Sequence, residues 1–236
     1  MPTFRPKAMP GSSDQLPRNR DAAPSVRPRP QVRLDSRGIA RERKFREAAI
    51  AVLLEKGYRN TRLSDIVARA KGSLATLYRI YGDKDGLVHA IMEGSIESFG
   101  ESLQRLERST LPAQEALTEA AERMAEDFLS PARIVSHRIA IAEGPSYPAL
   151  RDWFTEHAVE PPTRALARYL ARAHDDGLLH IQGDPYLAAE RFYMAVFGQL
   201  IIRTTSGLVG PDDVDAERAN ARAAVAQFCA GINPRP

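Results

Sequence analysis

The stretch "TLYRIYGDKDGL" (76–87) gathers Thr76, Tyr78, Arg79 and Lys84 around a Gly82-Asp83 break. Such a cluster suits an apolar core that happens to hold tyrosines, a catalytic loop, or a surface that grips phosphate. Catalysis finds little support elsewhere. The histidines are His89, His137, His157, His174 and His180, and neither H-E-x-x-H, G-x-S-x-G nor a phosphate-cradling glycine loop occurs. "HDD" (174–176) reads as a helix end capped by Gly177 rather than a metal site. No catalytic residue, metal or cofactor is therefore assigned. The lone Cys229 excludes an intrachain disulfide and a cysteine-based zinc site, and favours a reducing, cytoplasmic setting.

Charge is distributed unevenly along the 236 residues. Net charge is +4 over 1–36, +6 over 37–90 and −7 over 91–236. A basic front and an acidic remainder point to a polyanionic partner for the front alone. Hydrophobic residues make up 43% of the chain, enough for a packed core. No secretory signal is visible, and the most apolar stretch, "YLAAERFYMAVFGQLII", is too short and polar to span a membrane.

The elements that must position the cluster are helical. Residues 1–36 hold seven of the 17 prolines, with arginines between them, and are expected to be a disordered tail. From Arg37 the apolar residues Phe45, Ala48, Ala49, Val52 and Leu53 recur at helical spacing until Gly57. Thr61 is expected to cap a second helix with Leu63, Ile66, Val67 and Ala70 on one face. Ser73 caps a third, 74–80, and Asp83 caps a long fourth. Further helices are expected over 113–129, 131–143, 148–158, 161–177, 184–205 and 212–230. Pro131, Pro162 and Pro185 mark helix starts, where a missing N–H costs little. Nothing alternates with period two for long enough to argue a strand. The expectation is an all-α chain of nine or ten helices.

Residues 45–81 thus read as helix, helix, tight turn, short helix: a helix-turn-helix, whose second element enters the DNA major groove. Small and polar side chains suit the start of such a helix, and phosphate-binding groups suit its edges. Lys84 adds a charge at a helix N-terminus that already favours phosphate.

At this point "AAIAVLLEKGYRNTRLSDIVARAKGSLATLYRIYGDKDGL" (48–87) resembles the DNA-binding segment of the tetracycline-repressor (TetR) family. The matching positions are Gly57, Tyr58, Thr61, Asp65, Ile66, Ala70, Ser73, Thr76, Leu77, Tyr78, Lys84 and Leu87. There are departures: Lys71-Gly72 stands where the family has Gly-Val, Leu74 replaces a polar residue and Ala75 a glycine. The resemblance implies DNA contacts from Thr61, Arg62, Ser73, Leu74, Thr76, Tyr78, Arg79 and Lys84, with Arg41 and Arg43 nearby. Leu74 suits either a thymine methyl or the core. Tyr81, Leu77, Leu63, Ile66 and Val67 are read as core.

The family pattern also divides the chain into a tail (1–36), a three-helix DNA-binding domain (37–83) and a larger helical ligand-binding and dimerisation domain (84–232). In the last, helix 184–205 is apolar on several faces and should pack on its own domain and on a partner. Leu187, Met194, Gly198 and Ile201 are the expected dimer contacts. Met124, Phe128, His137, Trp153, Phe154, His157, Phe192 and Tyr193 are the expected pocket for a small-molecule effector. The implied function is a ligand-responsive homodimeric repressor on a near-palindromic double-stranded operator, with no membrane partner. Its rivals are a regulator without a small-molecule ligand, and an all-α enzyme or adaptor with a coincidental helix-turn-helix.

Overall fold

The computed structural model describes residues 35–232. The expected disordered tail lies, up to residue 34, outside the described residues. Among those described there are ten α-helices and no strand: α1 Ser36–Asn60, α2 Leu63–Ala70, α3 Leu74–Tyr81, α4 Lys84–Glu107, α5 Ala113–Leu129, α6 Pro131–Glu143, α7 Pro148–Phe154, α8 Glu160–Asp175, α9 Pro185–Ser206 and α10 Val214–Ile232.

Local chemistry sets most of the boundaries. The Asp35 carboxylate accepts from the Gly38 N–H at 2.7 Å and starts α1. Gly57 adopts φ 73°, ψ 169° and breaks that helix, as its type suggests, and one turn follows to Asn60. Ser73 and Asp83 accept from the N–H groups of Thr76 and Gly86 and cap α3 and α4. Ser130 caps α6, with Pro131 at its first position.

Two expectations need correction. Thr61 does not cap α2. Its hydroxyl donates backwards to the Gly57 carbonyl at 2.7 Å and so closes α1, while Arg62 takes the cap position and the Asp65 carboxylate accepts from the Arg62 N–H. The expected gap before Pro161-Pro162 is also absent. A π-turn, Thr155–Val159, carries α7 directly into α8. Pro161 and Pro162 have no N–H to offer the carbonyls four residues back, and the chain answers by widening: the Glu160 N–H donates to the Thr155 carbonyl, five residues away.

The packing forms two buried clusters. One joins α1–α3 (Phe45, Val52, Ile66, Leu77, Tyr81) to Leu87–Met92 of α4, Val135 and Ile139 of α6, and Leu150 and Phe154 of α7. The other joins the remainder of α4 to α5, α8, α9 and α10, and holds the buried Cys229. The two clusters meet inside α4. No helix among the described residues is long and apolar enough to cross a membrane.

Candidate DNA-binding face and ligand cavity

Helix α3 has a clear inside and outside. Leu77, Ile80 and Tyr81 are at most 3% exposed, and the Tyr81 hydroxyl donates to the Glu42 carbonyl at 3.1 Å. Leu74, Ala75, Tyr78 and Arg79 face outward, with Tyr78 51% and Leu74 43% exposed. An apolar leucine and a phenol ring are thus held in water by a well-packed helix. Ser73 and Arg62 are exposed beside it, and Thr76 is half-buried with its hydroxyl 2.8 Å from that of Ser73. Thr61 differs: it is 2% exposed, so it shapes the turn rather than presenting a hydroxyl to solvent. Arg41, Lys44, Arg69 and Lys71 line a groove between α1 and the end of α2.

The turn between α2 and α3 explains the departure at Lys71-Gly72. Lys71 itself takes the left-handed conformation, φ 50°, ψ 45°, that a glycine would occupy freely. Gly72 lies against the ring of Phe45, which a Cβ would strike. The small residue is thus required by close approach, and the strained one sits before it. Left-handed backbone costs a non-glycine residue about 1–2 kcal/mol, partly offset by the extra freedom a glycine gives the unfolded chain. Lys71→Gly is expected to raise stability by about 0.5 kcal/mol, and Gly72→Val to lower it by about 1–3 kcal/mol through overpacking. Urea unfolding midpoints of the two variants, moving in opposite directions, check this.

Behind the face, α1 is tied to the larger part. The Tyr58 hydroxyl donates to the Asp85 carboxylate. Burial first, and then Asp85, raise the Tyr58 pKa well above its ordinary value. The Lys84 ammonium lies 4.2 Å from the centre of the Tyr58 ring. Arg59 forms a two-pronged ion pair with the buried carboxylate of Glu143 at the end of α6, with contacts of 3.0–3.1 Å.

A cavity of about 190 Å³ opens in the second part of the chain, beside the π-turn. Phe99 and Leu103 of α4, Arg133 of α6 and Ala165 of α8 are its buried walls, and Gln104, His157, Pro161 and Arg168 form the exposed rim. Of the eight expected pocket residues, only His157 lines it. Met124, Phe128 and Phe192 are part of the C-terminal core, and Phe154 of the other. His137 is wedged between Phe128 and Phe154, with ring centres 5.3 and 5.6 Å away. Trp153 is stacked on His157 at 4.8 Å, one ring removed from the cavity. Tyr193 packs against the C-terminal core, and its buried hydroxyl has no hydrogen-bond partner among the described residues. Sequence reasoning did not assign Phe99 or Arg133 to the pocket. The only clue to Arg133 is its place before Ile134-Val135 in a helix with an apolar face.

Helices α9 and α10 leave apolar side chains exposed. Met194 is 70% and Ile202 65% exposed, and Leu187 is exposed with them. Ala216, Ala219, Ala223 and Ala230 of α10 are exposed as well. Two of the expected contacts sit differently. Gly198 is buried beneath Met194, whose Cε is 3.2 Å from where a glycine Cβ would be, and Ile201 leans on the C-terminal core.

This pairing of an N-terminal helix-turn-helix with a larger helical part defines a class of DNA-binding regulators. Residues 45–91 match the family described as bacterial regulatory proteins, tetR family, and residues 115–231 match the C-terminal domain of AefR-like transcriptional repressors. The chain belongs to the TetR family of transcriptional regulators. It is 27% identical over 168 residues to the HTH-type transcriptional regulator YvkB of Bacillus subtilis (strain 168), covering 68% of this chain and 82% of that protein. A solved TetR-family regulator from Mesorhizobium loti MAFF303099 shares the fold, with a TM-score of 0.68, 21% identity, and coverage of 85% of this chain and 100% of the other. The flavonoid-responsive regulator FrrA aligns with a TM-score of 0.56 at 26% identity, over 84% of this chain and 99% of its own.

Proposed function

We propose that the protein is a ligand-responsive transcriptional repressor that binds a near-palindromic operator as a homodimer. The outward face of α3 carries this reading: Tyr78 and Arg79 are held exposed on a helix whose opposite side is fully packed. Arg79 has the length and charge to reach a base edge, the exposed Tyr78 and Ser73 suit phosphates beside it, and Lys84 would reach a phosphate by leaving the Tyr58 ring. Leu74 is left to meet a thymine methyl. The match to AefR-like repressors supports the sign of regulation, and the named flavonoid response of FrrA supports a small-molecule effector. The cavity beside the π-turn is its site, and the apolar outer face of α9 and α10 is the dimer contact. Family and fold both speak for a regulator rather than an enzyme.

Footprinting on the DNA flanking the protein's own gene locates the operator, and titrations at several salt concentrations then test the face. Arg79→Ala is expected to weaken operator binding by about 1–3 kcal/mol and to relax specificity at one position. Lys84→Ala is expected to weaken all sequences alike and to flatten the salt dependence by about one unit of slope. Operator affinity unchanged in both variants places the reading face elsewhere.

A further inference from the structure

Arg133 is the anomaly of the cavity. Its side chain is 3% exposed, and its Nε and Nη2 have no hydrogen-bond partner among the described residues. Its guanidinium carbon lies 4.7 Å from the centre of the Phe99 ring and 6.0 Å from that of Phe128. The carboxylate that most favours its charge, Asp127, is engaged elsewhere, accepting from the Ser98 and Ser102 hydroxyls at 2.9 and 3.3 Å. Burial lowers the Arg133 pKa to about 10, which still leaves it charged at neutral pH. Tyr193, which interacts electrostatically with Arg133, adds a second buried polar group with no hydrogen-bond partner among the described residues. At the rim, Glu107 is neutralised by Arg168 at 2.6 Å.

A buried cation with unmet donors is costly unless an anion meets it. We propose that this cavity binds a small monocarboxylate with an apolar body, its acid group paired with Arg133 and its body against Phe99, Leu103 and Ala165. This deepens the reading of the cavity as the effector site and rests on it. Nε and Nη2 are covered in the folded chain, so pairing requires the guanidinium to turn off the Phe99 ring toward the cavity, where two parallel N–H groups can meet the two oxygens of a carboxylate. The volume sets the size. A dry cavity of roughly 150 Å³ accommodates benzene, so about 190 Å³ suits one aromatic ring with a short acid arm, or a medium-length alkyl acid.

The experiment compares each acid with its uncharged isostere: sodium phenylacetate with phenylacetamide, and sodium octanoate with octanamide. Binding is followed by thermal stabilisation and by the fluorescence of Trp153, which touches the cavity through His157. The full-length protein is expected to prefer an acid over its amide by roughly 10- to 100-fold, the worth of a charge-assisted hydrogen bond. Whichever pair shows the preference identifies the body as aromatic or alkyl. Arg133→Met keeps the apolar stem, removes an uncompensated buried charge and so should fold; it is expected to abolish the preference. Arg133→Lys should retain part of it. Equal affinity for acid and amide, no binding of either acid, or a preference that survives Arg133→Met each overturns the proposal. Operator binding is measured separately. Acid binding that leaves operator affinity unchanged keeps the anion site but removes the sensor reading, whereas failure of both acids to bind in a protein whose operator is still released by uncharged compounds removes the anion site alone.

Discussion

A chain carrying Met194→Glu and Ile202→Glu is expected to sediment as a monomer and to bind a two-half-site operator at least about 100-fold more weakly. Both residues are largely solvent-exposed in the single chain, at 70% and 65%. Charging them should therefore alter the stability of one protomer by no more than about 0.5 kcal/mol. In a dimer joined through α9 and α10 the same charges are buried without partners, at about 1–3 kcal/mol or more each. Half-sites one turn apart need two recognition helices roughly 34–36 Å apart, so losing the partner loses half the DNA contact. Sedimentation and helical circular dichroism are read together. A variant that keeps its helicity and remains dimeric puts the interface on another face.

The second large effect concerns acid. His137 is held between Phe128 and Phe154, and its Nδ1 donates to the Arg133 carbonyl at 2.9 Å. Burial, and then the charge of Arg133, lower its pKa from 6.5 to about 4. The unfolded chain therefore binds a proton more readily than the folded one between those values. Stability is fully present above pH 6.5 and is lost as pH falls toward 4, by at most about 3 kcal/mol. His137→Gln lacks the proton site, so its stability should fall less over this window. Urea unfolding at pH 7 and pH 4 gives the comparison; identical losses in parent and variant assign the acid sensitivity to other groups.

What the sequence made legible follows from how local each signal is. The start of α6 was readable to the residue because Pro131 marks a first turn with no outside help, while Ser130 as its cap is shown by the fold. The core side of α3 was readable in Leu77 and Tyr81, and its outward side came from the resemblance to the family's DNA-binding segment. Thr61 misled because a threonine before a helix reads as a cap, and only the folded turn shows its hydroxyl directed backwards to Gly57. The π-turn was invisible because Pro161-Pro162 announces lost hydrogen bonds but not how the backbone compensates. The cavity was least legible. Aromatic residues were chosen for size, yet Met124, Phe128 and Phe192 fill space in the core, and the space left open lies where α4, α6 and α8 meet at the π-turn. That gap depends on three helices far apart in sequence.

The division of the core inside α4 has a further consequence, for modularity. Of the eighteen described residues in the buried cluster under the helix-turn-helix, half come from beyond Asp83, among them Leu87, Ile91, Met92, Val135 and Phe154. The reading head is therefore not a cartridge that can be cut out at the end of its motif. A head exchanged between regulators at that seam would arrive without half of its floor. The natural unit of exchange runs some ten residues further, through Met92, and still leans on side chains from α6 and α7 that only its own body supplies.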